Sequence, residues 1–122
     1  MRIVVVAEEP AKFEQWQEAQ LQPGQAPKSD AAVKGLALFQ TSTCISCHAI
    51  RGVTGADAGV APDLTHVASR KQLGAGILEN TPANMRLWLK SPQHIKPGAL
   101  MPDFTFTDEQ LDQLGEYLSS LR

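Results

Sequence analysis

This chain of 122 residues contains only two cysteines, Cys44 and Cys47, so an extensive disulfide framework is excluded. It also lacks an apolar run of about 20 residues, which a membrane-spanning helix requires. The formal charge of −2 and the absence of a basic run argue against a nucleic-acid-binding protein. With 43% hydrophobic residues, the chain has enough apolar side chains for the core of one domain.

Both cysteines lie in the motif Cys44-Ile45-Ser46-Cys47-His48. The spacing C-x-x-C-H is typical of covalent attachment of a c-type haem. Each thiol can add to a haem vinyl group, and the imidazole of His48 can then bind one axial face of the iron. A thiol–disulfide site would lie beside a βαβ pattern, which is absent, and a structural zinc would need further thiolate or imidazole ligands. We therefore expect one covalently bound haem c.

The second axial ligand has four candidates, which are Met85, Met101, His66 and His94. Met101 lies in a loop with two prolines and a glycine, and a loop can bring a side chain to the iron without unwinding a helix. Met85 lies in an amphipathic helical pattern, where methionine more often fills the core. His66 and His94 both border loops, where a histidine side chain is usually exposed to solvent. We expect His48 and Met101 as ligands, a pair that raises the reduction potential and suits electron transfer.

The later part of the chain carries three signals for helix starts. Asp30 is suited to cap a helix that reaches about residue 42. Thr81 followed by Pro82 begins a second helix, and Thr107 opens a capping box before the last. The pattern predicts these helices, a short one over residues 64–70, and no strand after residue 29. The residues expected to face the core from the first of these helices are Val33, Leu36, Ala37 and Phe39.

The amino-terminal segment differs in pattern from the rest. A β-branched run over residues 2–6 predicts one strand, and Pro10 begins a short helix. Because a lone strand and a short helix cannot form a core, we expect residues 1–22 to be the end of another domain. Residues 23–29 are rich in proline and glycine and predict a linker, which leaves residues 30–122 as the haem-binding domain.

Residues 30–122 resemble a class I cytochrome c in the order of their motifs. The matching features are Gly35 with Phe39, the C-x-x-C-H motif, Pro62, the pair Trp88-Leu89, the Pro-Gly-x-x-Met loop that ends at Met101, and Tyr117-Leu118. The resemblance implies an all-α fold of about four to five helices around one covalently bound haem, here preceded by a short strand-plus-helix remnant.

The same resemblance implies roles for individual residues. Gly35 would let the first helix of the domain cross the last against Tyr117. The carbonyl of Pro62 would accept a hydrogen bond from Nδ1 of the iron-binding histidine and orient its ring. Arg70 would pair with a haem propionate, and Trp88 would lie along the methionine side of the haem.

Three further stretches, residues 61–66, 78–82 and 91–98, closely resemble the cytochrome c domain fused to subunit II of caa-type haem-copper oxidases. The amino-terminal segment resembles the last strand and closing helix of that subunit's cupredoxin domain. Met1 occupies the place of a copper ligand, but the copper-binding cysteines and glutamate are missing, so no copper site can form. The stretch 1–7 is too short for a signal peptide, and Glu8 follows it, so targeting is expected from a segment upstream.

This resemblance implies a function as the electron-carrier domain of a terminal oxidase. The domain would accept one electron from a donor redox protein and pass it to the dinuclear copper centre of subunit II, with no bond chemistry of its own. It would be a monomer on the periplasmic or outer face of the bacterial cytoplasmic membrane, tethered through upstream transmembrane segments. The alternatives are a free-standing shuttle cytochrome c, and a haem enzyme or gas sensor with an open iron site.

Overall fold

The computed structural model describes residues 4–122, and this part of the chain is mostly helical. The helices are α1 (Pro10–Leu21), α2 (Asp30–Thr41), α3 (Pro82–Lys90), α4 (Pro92–Ile95) and α5 (Asp108–Ser120). Short 3₁₀ helices cover Thr43–Ser46 and Val67–Ser69, and two antiparallel strands are β1 (Gln72–Leu73) and β2 (Leu78–Glu79). No helix between residues 4 and 122 combines the length and apolar character needed to cross a membrane. The five helices confirm the all-α prediction.

The core forms where α2 crosses α5, and Gly35 lies at the crossing. A Cβ atom on Gly35 would lie 2.1 Å from the carbonyl oxygen of Gln113 and 2.8 Å from Cβ of Tyr117. Only glycine permits two helix backbones to approach so closely. Phe39 packs beside the crossing, with its ring centroid 6.1 Å from that of Tyr117. The glycine in the helix, unfavourable for helix propensity, is therefore required by packing.

The two predicted helix starts at threonine are confirmed. The hydroxyl of Thr107 accepts a hydrogen bond from the backbone N–H of Gln110, and the Gln110 side chain accepts one from the N–H of Thr107. At the start of α3, the Thr81 hydroxyl accepts from the backbone N–H of Asn84. Arg86 then links α3 to α5 through ion pairs of 2.7 and 2.6 Å with Asp108 and Asp112.

The prediction that Asp30 caps α2 was wrong by one residue. The cap is Ser29, whose hydroxyl accepts a hydrogen bond from the N–H of Ala32 at 3.2 Å. The buried face also differs from the predicted one, because Val33 is 52% exposed. Val33 lies two positions from Gly35, which places it about 200° around the helix from the crossing. The residues that α2 does bury are Ala32, Gly35 and Phe39.

The strand predictions also need correction. Residues 4–6 form no strand, and residues 1–3, including Met1, lie outside the described residues. An extended segment without a neighbouring strand has nothing to complete its hydrogen bonds except solvent. Conversely, β1 and β2 were not expected. Their connection reverses through Gly74, Ala75 and Gly76, which all have positive φ. The short helix expected over residues 64–70 is limited to a 3₁₀ turn at Val67–Ser69.

The segment predicted to be a linker is docked against residues 30–122. The backbone N–H of Gly24 donates to the carbonyl oxygen of Arg51 at 2.9 Å. A Cβ atom on Gly24 would lie 3.1 Å from Leu121 and 3.2 Å from Ile50, two residues that are fully buried. The connection is therefore packed on the domain that follows it.

Helix α1 lies on the outside of the molecule, and none of its residues is buried. Phe13 and Trp16 stack on each other with centroids 5.7 Å apart, and both are about half exposed. At the other end of α1, the guanidinium of Arg51 donates to the carbonyl oxygen of Gln20 at 2.9 Å. The helix is thus attached mainly through its last turn.

Candidate haem-binding site

The predicted attachment motif begins shortly after α2, in the 3₁₀ helix Thr43–Ser46, and Cys47 and His48 follow that helix. The carbonyl oxygen of Cys44 accepts hydrogen bonds from the backbone N–H groups of Cys47, at 3.2 Å, and His48, at 3.0 Å. These bonds close a tight turn that brings the two thiols and the imidazole close together along the chain. Both cysteines are free and partly exposed. The turn therefore offers two unused thiols next to a histidine.

The first of these thiols is kept in its protonated form by its surroundings. Burial raises the pKa of Cys44, and the hydroxyl of Ser42, which donates to its Sγ at 3.1 Å, offsets only part of that effect. The raised pKa keeps the Cys44 side chain a neutral thiol at neutral pH.

His48 is oriented by a hydrogen bond to the backbone. Its Nδ1 lies 2.8 Å from the carbonyl oxygen of Pro62. A carbonyl can only accept, so Nδ1 carries the proton and Nε2 keeps its lone pair. That is the tautomer that can bind a metal through Nε2. Two further bonds hold the Pro62 loop in place, from the N–H of Ala61 to Cys47 and from that of Leu64 to Ala49, both 2.8 Å.

Arg70 contacts the loop that carries Pro62, at the residue that follows the proline. Its guanidinium donates to the carbonyl oxygen of Asp63. The Asp63 carboxylate in turn accepts from the hydroxyl of Thr65 and, at 2.7 Å, from its backbone N–H. Burial would raise the pKa of Asp63, but these hydrogen bonds and the nearby charges of Arg51 and Arg70 outweigh it and lower the pKa. Asp63 is therefore a stable anion that helps fix the loop following Pro62.

The two methionine candidates lie in different environments. Met85 is on α3, is only 3% exposed and belongs to the hydrophobic core. Met101 lies in the loop between α4 and α5 and is partly buried against that core. Trp88 packs over Gly74, where a Cβ atom would lie 3.0 Å from the indole ring.

The two remaining histidine candidates are near other polar groups or solvent. His66 Nε2 lies 3.2 Å from the carbonyl oxygen of Gln22, at the end of α1. His94 is exposed on α4. Among the described residues, neither His66 nor His94 makes a side-chain hydrogen bond to the attachment turn.

Sequence reasoning missed two side-chain amides that organise the loops of the site. Asn80 donates to the carbonyl oxygens of Val67, at 2.7 Å, and Arg70, at 2.8 Å. Gln93 donates to the carbonyl oxygens of Ala99 and Met101. No spacing rule signals such bonds, because the partner of each amide is a backbone carbonyl in a separate loop. The sequence therefore carries no motif that predicts the roles of Asn80 and Gln93.

The fold and the turn together define a class of protein, the helical haem proteins with covalent attachment. The residues present fit that cofactor, since the two thiols are free and the hydrogen bond at Nδ1 leaves the other imidazole nitrogen of His48 available. The chain belongs to the cytochrome c family, whose family model matches residues 32–122. Membership in that family implies covalently bound haem.

The chain is also similar to cytochrome c oxidase subunit 2 from three bacteria. It is 33% identical to that of Alkalihalophilus pseudofirmus over 100% of this chain and 35% of the relative. For Bacillus sp. (strain PS3) the identity is 39%, over 75% of this chain and 26% of the relative. For Bacillus subtilis it is 32%, over 91% of this chain and 32% of the relative. The chain thus spans about a third or less of the length of these relatives.

Proposed function

We infer that this chain is a one-electron carrier in which Cys44 and Cys47 hold one haem covalently and His48 and Met101 provide its axial ligands. The observation that carries this assignment is the 2.8 Å contact between Nδ1 of His48 and the carbonyl oxygen of Pro62. It fixes the histidine tautomer that a metal requires. When bound, the haem supplies a one-electron couple between ferric and ferrous iron.

The proposed ligands would limit the site to electron transfer. If His48 and Met101 both held the haem iron, no coordination position would be left for a substrate or a gas. Arg70, held by the carbonyl of Asp63, would neutralise a propionate at the edge of the site. Trp88, which packs over Gly74, would line the methionine side of the haem.

The similarity to oxidase subunit 2 supports a place within a terminal oxidase. In this proposal residues 1–22 end a preceding copper domain, residues 23–29 connect, and residues 30–122 are the carrier. Electrons would come from a donor redox protein and leave for the copper centre of the same subunit, on the outer face of the cytoplasmic membrane. Because the connection is docked through Gly24, it would hold the two domains close together.

Replacement of the two methionines tests the ligand assignment. Met101→Ala should convert low-spin iron to a high-spin form that binds carbon monoxide, and should remove the weak sulfur-to-iron band in the red. Met85→Ala, the matched control, should keep that band and lower the free energy of unfolding by about 2–5 kcal/mol, because Met85 is 3% exposed. Loss of the band in Met85→Ala, with retention in Met101→Ala, would reverse the assignment.

Extraction with acid–acetone tests the covalent attachment. The haem should stay with the wild-type chain, and replacement of both Cys44 and Cys47 by Ala should prevent attachment. Release of haem from the wild-type protein would refute the role given to the two thiols.

Electron transfer to a subunit 2 copper domain tests the oxidase context against the shuttle alternative. Transfer followed by stopped flow should be fast and nearly independent of salt when both domains are on one chain. After cleavage in the connection, transfer should become slow and dependent on concentration. Tight, strongly salt-dependent binding between the separated pieces would favour a free shuttle cytochrome instead.

A further inference from the structure

Gln93, on α4, is bonded to the loop that carries Met101. Its side-chain nitrogen donates to the carbonyl oxygens of Ala99 and Met101, the second at 2.7 Å. Both partners are carbonyls, which only accept, so the amide group must present its two N–H donors to the loop. One side chain therefore binds two alternate carbonyls of the segment that ends at Met101.

Gln93 is itself held from the other end of the loop. The carboxylate of Asp103 accepts a hydrogen bond from the backbone N–H of Gln93 at 3.1 Å. The preceding residue, Pro92, is buried and fixes the start of α4 in the core. The amide of Gln93 thus reaches the loop from an anchored backbone position.

The backbone of this loop makes few hydrogen bonds of its own, and the side chains that pack it against the core are Met101 and Phe106. Among the described residues, residues 97–106 make one backbone–backbone hydrogen bond. It runs from the N–H of Ala99 to the carbonyl oxygen of Lys96, at 3.0 Å. Leu100, between the two carbonyls that Gln93 binds, is 98% exposed and contributes no packing. Gly98 adopts φ of 83°, a conformation that favours glycine, and nothing lies within 4 Å of a Cβ atom built there. The two bonds from Gln93 are therefore a major constraint on the position of Met101.

We propose that Gln93 is a positioning residue for Met101, which keeps the loop closed so that the thioether stays on the iron. This inference rests on the assignment of Met101 as axial ligand under the proposed function. Without the amide, the loop would open more often, and an external ligand would compete more successfully for the vacated position. The apparent affinity of such a ligand is scaled by the fraction of open loop, so it measures closure directly.

The test is titration of the ferric, haem-loaded full chain with imidazole. Gln93→Leu keeps the approximate size of the side chain and removes both donors, so the imidazole dissociation constant should fall about tenfold or more. Gln93→Glu keeps the shape and replaces the NH₂ group with an oxygen that faces two carbonyls, so it should change affinity in the same direction. Gln93→Glu therefore tests the proposal even if the leucine variant fails to fold.

The matched control is Gln113→Leu, on α5. The amide of Gln113 donates to the carboxylate of Glu109 at 2.9 Å, and its partner lies on the same helix rather than in the Met101 loop. The same substitution there should leave the imidazole dissociation constant unchanged. A purely structural role for Gln93 would lower the unfolding temperature and leave imidazole affinity as in the wild type, which would overturn the inference.

Met101→Ala, measured alongside, separates the two levels of the argument. If Met101→Ala keeps the low-spin spectrum and the red band, the ligand assignment itself is wrong. If Met101→Ala loses the band while both Gln93 variants bind imidazole like the wild type, the ligand stands and only the positioning role is refuted.

Discussion

The substitution Gly35→Ala tests the crossing of α2 and α5, on which the fold depends. The added Cβ would lie 2.1 Å from the carbonyl oxygen of Gln113 and 2.7 Å from its carbonyl carbon. These atoms belong to the backbone of α5 and cannot rotate away, as the end of a side chain could. The two helices must therefore separate, which loosens the contact between Phe39 and Tyr117.

The size of the effect follows from two opposing contributions. Overpacking typically lowers stability by about 1–3 kcal/mol, and a clash with backbone belongs at the upper end of that range. The higher helix propensity of alanine returns about 1 kcal/mol. We expect a net loss of about 2 kcal/mol, which for a domain of this size lowers the unfolding temperature by roughly 8–16 °C.

The matched control is Gly115→Ala, also a helical glycine but in open surroundings. Nothing outside its own helix lies within 4 Å of a Cβ atom built there, so alanine should raise stability by up to about 1 kcal/mol. The assay is thermal unfolding of the haem-loaded variants, followed by circular dichroism. A Gly35→Ala variant as stable as the wild type would refute the reasoning, as would equal destabilisation by both substitutions.

Two further predictions concern Tyr117 and the amino-terminal segment. The buried hydroxyl of Tyr117 has no partner among the described residues, and burial raises its pKa to about 12. The unfolded chain releases that proton near pH 10, so this group should remove about 2 kcal/mol of stability as the pH rises from 10 to 12. Tyr117→Phe should flatten this part of the pH–stability curve and change stability little at pH 7, and a curve that parallels the wild type would contradict the assignment. Deletion of residues 1–28 should leave the haem spectrum unchanged but lower the unfolding temperature, because it uncovers Ile50 and Leu121 beside Gly24. Deletion of residues 1–19 alone should have little effect on the spectrum or the unfolding temperature, since α1 buries no residue.

The sequence predicted best those features whose signals lie within one turn of helix. Thr81 caps α3 by accepting from Asn84, and Thr107 caps α5 by accepting from Gln110, in each case three positions along the chain. The cap of α2 was misplaced because Ser29 and Asp30 are neighbours and both suit the position, and only the backbone conformation distinguishes them.

Features that depend on distant contacts were harder to predict. The strands β1 and β2 have two residues each, too few to show an alternating pattern. The composition of residues 23–29 predicted a linker, but Gly24 also fits a narrow contact with Ile50 and Leu121 that composition does not record. The amide of Gln93 was invisible for a similar reason, because its partners are backbone groups.

The most direct test of the central claim is a spectroelectrochemical titration of the haem-loaded chain, with and without carbon monoxide. A carrier ligated by His48 and Met101 should show one reversible one-electron step, a low-spin spectrum in both oxidation states, and no change when carbon monoxide is added. A high-spin ferrous spectrum that shifts with carbon monoxide would show an open iron position. It would contradict the electron-carrier account in favour of a haem enzyme or gas sensor.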